Sequence, residues 1–288
     1  MSENGKGQRE APESRIQVGI RHVWGVDFSG AVNAGKKIWI AGGEVRGGVL
    51  HIESCQPASE MSGFGIHRED CMKGLCDFVG RQRDAVIGLD FPFGLPKPVV
   101  QEKTWEEFLT AFPGKYPDAE SFKNGCRLAA GGSELKRLTD KECQNPFCAY
   151  NLRLYRQTYY GIRDFLGPIV SGELACVIPM QKPVPGKPWV LEICPAATLK
   201  REMFYFSYKD KRKGGSLRET RWAILECIED LGFVRLTAPG IRERVMGDRW
   251  GDAVDSIIGA MAAFRAVRDG PPTEAPTRVH ALEGVTYV

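Results

Sequence analysis

Apolar residues recur along this chain with changing periods. His22-Val-Trp-Gly-Val-Asp-Phe28 reads as a short buried strand. Lys37-Ile-Trp-Ile-Ala41 and Val49-Leu-His-Ile-Glu53 read as two more, and Arg46-Gly-Gly48 supplies the turn chemistry that joins them into a hairpin. From Arg68 to Arg81 the apolar positions Met72, Leu75, Phe78 and Val79 return with a helical period. Asp84-Ala-Val-Ile-Gly-Leu-Asp90 predicts a fourth strand, which stops at Phe91-Pro-Phe-Gly-Leu-Pro96 because proline and glycine forbid continuation. Residues 97–187 change character. Candidate helices near 103–112, 133–140 and 150–166 are separated by Pro- and Gly-bearing turns, which predicts a helical insertion. Trp189-Val-Leu-Glu-Ile-Cys194 is a fifth strand ended by Pro195, helices follow at 196–206 and 217–231, and 248–267 is the last strong helix.

Strands that join in succession and then alternate with helices predict an α/β fold, with a mixed five-stranded sheet and helices on both faces. Residues 1–20 read as a polar tail and 21–288 as one domain carrying the insertion. Ligand sites in such sheets gather at the carboxyl ends of the strands.

Composition narrows the function classes. The 288 residues are 43% hydrophobic and 26% charged, which excludes a largely disordered or collagen-like chain. A net charge of +3 is too balanced for nucleic-acid binding over the whole surface, so any anion site is local. No apolar run is long enough to predict a membrane span, and the N-terminus has no apolar signal core; both point to a cytoplasmic protein. Nine scattered cysteines predict reduced thiols.

The candidate chemistry is acidic. Asp27 and Asp90 sit at the ends of strands one and four, and Glu192 lies inside strand five. Asp252 and Asp255 share a direction on the last helix through their i, i+3 spacing. Any one of them alone reads as a turn residue, a helix N-terminal charge or an arginine partner. Together they ask for a cation, because two carboxylates about 4 Å apart repel by ~4 kcal/mol at an effective dielectric near 20. Oxygen ligands without histidine select Mg²⁺ or Mn²⁺, and two such ions can clamp the attacking and leaving oxygens of a phosphodiester.

Gly25-Val-Asp-Phe-Ser-Gly30, Gly88-Leu-Asp-Phe-Pro-Phe-Gly-Leu-Pro96, Leu191-Glu-Ile-Cys-Pro-Ala-Ala-Thr198, the Asp252-Ala-Val-Asp255 helix with its run of small residues, and Leu282-Glu-Gly284 are the motifs that carry a resemblance. In that order, over residues 22 to 288, they resemble the bacterial and archaeal domain-of-unknown-function family labelled predicted RNase H-like nuclease. The Asp-x-x-Asp helix also looks like the last helix of the RuvC resolvases. The resemblance implies an RNase H-like fold and metal-dependent cleavage of nucleic acid. It implies Asp27 as the central metal bridge, with Asp90 or Glu192 and the Asp252/Asp255 pair as further ligands. Resolvases of similar fold work as dimers, so a homodimer is a further expectation.

Lys200 to Arg221 holds eight basic residues against three acidic ones, interleaved with Phe204, Tyr205, Phe206 and Tyr208. Within it Lys209, Lys211, Arg212, Lys213 and Arg218 are candidate nucleic-acid contacts, since cations and rings together suit phosphates and stacked bases; a solvated loop with inward-packed rings is the plainer reading. Ser29 and Gly30 form a candidate phosphate-binding turn after strand one. That turn also fits the acetate- and sugar-kinase core, so a phosphotransferase or nucleotide hydrolase is an alternative. Only one Asp-Phe-Ser-Gly segment is present, however, and no P-loop. A third alternative is a non-catalytic binding module, whose carboxylates would be dispersed or paired with arginine. Lys136, Arg137 and Asp140 are possible substrate contacts. The Cys71/Cys76 and Cys143/Cys148 spacings are looser than those of zinc knuckles.

Overall fold

The computed structural model describes residues 19–209, 217–270 and 272–288. Among these residues, eight strands form one mixed open sheet. They are β1 (His22–Asp27), β2 (Trp39–Arg46), β3 (Val49–Pro57), β4 (Ala85–Leu89), β5 (Cys176–Val177), β6 (Trp189–Ile193), β7 (Val234–Leu236) and β8 (Thr286–Tyr287). The order across the sheet is β5-β6-β4-β1-β2-β3-β7, with β8 also paired to β6. β1, β2 and β3 are antiparallel neighbours, and all other pairings are parallel. The α/β class and the mixed sheet therefore match the sequence reading, while five strands become eight. The three additional strands are two or three residues long, too short to show a period of their own.

Among the described residues, eleven α-helices accompany these strands. They are α1 (Arg68–Arg81), α2 (Trp105–Lys115), α3 (Ala119–Ala129), α4 (Leu138–Glu142), α5 (Tyr155–Tyr160), α6 (Gly167–Ser171), α7 (Pro195–Arg201), α8 (Arg218–Asp230), α9 (Ile241–Gly247), α10 (Asp252–Arg268) and α11 (Arg278–Glu283). A π-helical stretch, Gly161–Leu166, joins α5 to α6. The 97–187 segment holds α2 to α6 and then contributes β5 to the sheet. The helix expected at 133–140 forms only from Leu138, and α3, with its Asp118 cap on the Ser121 N–H at 2.7 Å, was not foreseen.

Strand alternation divides the core in two. Val26, Ile40, Ile87, Leu89 and Val190 face one side and pack with α1 and the insertion. Val23, Ala41, Val86 and Leu191 face the other and pack with α8 and α10. The contact between α10 and the sheet is unusually close. A Cβ on Gly25 would lie 2.0 Å from the Ser256 carbonyl oxygen and 2.1 Å from the Ala260 nitrogen, and one on Gly88 would lie 2.9 Å from the Gly259 oxygen. Glycine at 25 and 88 is what lets the helix backbone rest on β1 and β4.

Candidate functional site

Val23-Trp-Gly25-Val-Asp27 and Val86-Ile-Gly88-Leu-Asp90 carry the same period-two pattern on adjacent parallel strands, a hydrophobe, a glycine and an aspartate pointing toward α10. The Asp90 N–H donates to the Val26 carbonyl at 3.0 Å, which sets the two aspartates side by side at the carboxyl ends of β1 and β4. The glycines bring α10 down onto them. Asp248 fixes the start of that helix by accepting the Ala253 N–H at 2.8 Å and the Trp250 N–H at 3.1 Å. Because Asp248 supplies the cap, Asp252 and Asp255 need not do so.

The structure brings Asp27, Asp90 and Asp255 together, with one carboxylate oxygen from each lying within 4.8 Å of the others. Asp252 borders the same space, a hollow of about 340 Å³ that Asp27, Asp90, Lys37 and Trp250 also line. Four of the five carboxylates singled out in the sequence thus converge, on elements separated by more than two hundred residues.

Their electrostatics reflect crowding. Burial, then Asp252 and Asp255, hold the Asp27 carboxyl well above the usual range. Burial and Asp255 push Asp90 up to about 8. Burial and Asp248 push Asp252 up to about 6. Lys209 opposes all three shifts. Its ammonium donates to Asp255 Oδ2, and the Tyr208 hydroxyl donates to Asp255 Oδ1. Burial works against the Lys209 charge, but Asp255 and Asp27 outweigh it and hold the group above the ordinary lysine range. Arg221 of α8, itself buried, anchors the strap of chain after α7, which carries Tyr208 and Lys209, by donating to the Tyr208 carbonyl at 2.9 Å.

Glu192 lies elsewhere. Leu191 and Ile193 face α10, so Glu192 points through the opposite side of the sheet, in register with Leu89. Arg137 donates to its two oxygens at 2.5 and 2.7 Å; the Phe93 N–H and the Thr286 hydroxyl each add a bond of 2.7 Å. Arg137 also holds Asp140 at 2.8 Å and is itself buried. Placing Glu192 among the metal ligands is corrected by this geometry: its lone pairs are committed to a buried ion pair. Arg137 and Asp140 are members of that network and, with Glu192, also line a hollow beside the carboxylates. Glu283 completes it by accepting the N–H groups of Lys97 and Leu138, each at 2.6 Å.

The basic segment divides. Lys209 turns onto Asp255, Arg218 is exposed at the start of α8 and lines none of the three hollows described here, and Lys211, Arg212 and Lys213 lie outside the described residues. Phe204 and Tyr208 pack inward, while Tyr205 and Phe206 stand 51% and 55% exposed. Ser29 lines the groove, but its hydroxyl accepts the Ala31 N–H at 3.3 Å. Gly30 packs on α5, where a Cβ would lie 2.5 Å from the Arg156 carbonyl oxygen, and its own carbonyl accepts from Arg68 at 3.0 Å. Both cysteine pairs are free thiols.

The sequence reading misses Gln157 and gives Tyr208 only as one of the rings of the basic segment. Gln157 donates to the Asp90 carbonyl and lines the 340 Å³ hollow and both of its neighbours. Tyr208 clamps Asp255 from the strap. Neither carries a motif. The repeated Val-x-Gly-x-Asp pattern was the available signal for the aspartate pair.

The donor set consists of carboxylate oxygens alone, which fits a hard divalent cation and not zinc. Among the described residues no helix is long and apolar enough to cross a membrane. The chain matches no protein-family model, no curated protein and no solved structure in the three comparisons.

Proposed function

We propose that this protein is a divalent-metal-dependent phosphodiesterase acting on nucleic acid, built on an RNase H-like core. The observation that carries the reading is the convergence of Asp27 and Asp90, at the carboxyl ends of adjacent strands, with Asp255 of α10, each offering an oxygen within 4.8 Å of the others. An antiparallel β1–β2–β3 unit with parallel β4 and β6 beyond β1 supports it, being consistent with the mixed sheet expected of such a core.

Asp27, Asp90 and Asp255 would hold Mg²⁺ or Mn²⁺, with Asp252 lining the same hollow as Asp27 and Asp90. The ion, when bound, supplies Lewis acidity toward a phosphoryl oxygen and a lowered pKa for water. The chain supplies the rest. Asp27 is buried and Asp90 half-buried, so their ionised forms are poorly solvated and favour a cation partner. Tyr208 and Lys209 fix the rotamer of Asp255. Lys209 also places a positive charge where a phosphate oxygen would approach, and this suits a phosphodiester over a neutral substrate.

The test is cleavage of labelled single-stranded and duplex oligonucleotides of DNA and RNA with Mn²⁺ or Mg²⁺. Cleavage that needs the ion and vanishes in Asp27→Asn supports the reading. Full cleavage by that variant, or stabilisation by nucleoside triphosphates with no attack on any nucleic acid, overturns it in favour of a phosphotransferase or nucleotide hydrolase.

A further inference from the structure

Beside the carboxylates lies a second hollow, of about 480 Å³. That volume falls in the range of about 300–1,000 Å³ typical of small-molecule sites. Asp90, Asp255 and Lys209 form its border with the acidic cluster. One wall is the exposed pair Tyr205 and Phe206; another carries Phe147, whose ring the Arg153 guanidinium approaches at 5.4 Å. Ile193 and Pro195 are among the remaining lining residues. Rings half open to solvent and a planar cation, arranged around a cavity, suit the face of a flat aromatic ligand.

Charge continues along the groove. Arg153 makes no ion pair among the described residues and also lines a third hollow, of about 560 Å³, together with Arg68 and Arg156. Arg156 is paired with Glu120 at 3.3 Å, whereas Arg68 stacks on Tyr160 with 3.5 Å from its guanidinium carbon to the ring centre. A polyanion could therefore run from the arginines, past Gln157, over the carboxylates.

We propose that the 480 Å³ hollow receives one unpaired base of a single-stranded nucleic acid whose backbone crosses Asp90 and Asp255. The inference rests on the phosphodiesterase reading and adds the substrate class to it. In a duplex the base faces are buried in the stack and only the edges are offered, so the rings around this hollow have nothing to stack on. A single strand presents faces and phosphates together. A free nucleotide would present one face but no backbone to follow the arginine arm.

The test is fluorescence anisotropy of the full chain in Ca²⁺, with a labelled single strand of about 12 nucleotides, a blunt duplex of the same sequence, and unlabelled nucleoside monophosphate as competitor. The single strand is expected to bind at least about tenfold more tightly than the duplex, and Tyr205→Ala and Phe206→Ala are each expected to weaken it by about five- to a hundredfold, the range for one lost base stack. Both side chains are half exposed, so the variants keep the fold. Equal or tighter duplex binding, or unchanged binding by both variants, overturns the proposal. So does competition by the monophosphate at the strand's own affinity. Duplex binding accompanied by metal-dependent cleavage would overturn the base pocket alone and leave the phosphodiesterase reading standing; absence of both nucleic-acid and Mn²⁺ binding would overturn both.

Discussion

Lys209 donates its ammonium to Asp255, so a cation belonging to the chain itself sits at the edge of the carboxylate cluster. It lowers the charge of a site that also holds Asp27, Asp90 and Asp252. An incoming divalent ion must share Asp255 with it. Lys209→Ala is expected to tighten Mn²⁺ binding by about tenfold, equivalent to roughly 1.4 kcal/mol of relieved competition. Isothermal titration of both proteins checks this. Unchanged or weaker binding in the variant would show that Lys209 supports the ion and does not compete with it.

The ion pair between Arg137 and Glu192 has a different character. Both side chains are buried, and the guanidinium also serves Asp140. Removing the cation leaves two buried carboxylates facing each other. Arg137→Met is therefore expected to destabilise the fold by about 3–5 kcal/mol in urea unfolding. Glu192→Gln should lose less stability and leave Mn²⁺ affinity unchanged, because Glu192 is on the opposite face of the sheet from Asp27. Loss of Mn²⁺ binding in folded Glu192→Gln would return this residue to the metal shell.

The seating of α10 gives a third expectation. Gly25→Ala puts a methyl group 2.0 Å from the Ser256 carbonyl oxygen, with helix backbone on the far side. The helix must move, and Asp255 moves with it. Destabilisation of about 1–3 kcal/mol should appear together with weakened Mn²⁺ binding. Gly114→Ala, inside α2 where a Cβ meets nothing within 4 Å, is the control: it should leave Mn²⁺ binding unchanged and stability unchanged or raised by up to about 1 kcal/mol. Equal behaviour of the two variants would contradict the close packing.

Titration of the cluster couples pH to stability. Asp90 is raised to about 8 and Asp252 to about 6, both above the ordinary aspartate value of 3.8. Between roughly pH 4 and 8 the folded, metal-free protein holds protons that the unfolded chain has released. The stabilisation from these groups is thus complete below the unfolded value and fades as pH rises through 6 and then 8. In chelator, the melting temperature of Asp90→Asn is expected to fall less between pH 5 and 8 than that of the wild type. Stabilisation by Mn²⁺ should grow over the same interval, since the ion needs ionised ligands. Parallel curves for the two proteins in chelator would contradict the raised Asp90 value.

Much of this site could be read along the chain, for local reasons. β1, β4 and β6 are short apolar runs closed by polar or proline-bearing turns, and Asp27 and Asp90 end two of them, so they were found within a residue of their observed ends. The helix carrying Asp252 and Asp255 announces itself through seventeen residues of helical pattern. Glu192 was misplaced because a buried parallel strand is apolar on both faces. The sequence around Leu191 and Ile193 does not tell which face is which, and only the register with β4 does. Tyr208 and Lys209 are a matter of tertiary placement. They reach Asp255 because the segment after α7 folds back across the start of α10, where Gly251, at φ +79°, has no Cβ and leaves room for the Tyr208 ring. β5, β7 and β8 were missed since strands of two or three residues are made by their neighbours.

The central claim is that Asp27, Asp90 and Asp255 form a cation site, and Mn²⁺ titration calorimetry on the wild type and Asp27→Asn tests it most directly. The account predicts saturable binding in the micromolar to millimolar range that disappears in Asp27→Asn while the circular dichroism spectrum stays the same. No binding to the wild type, or equal binding to a folded Asp27→Asn, would contradict it.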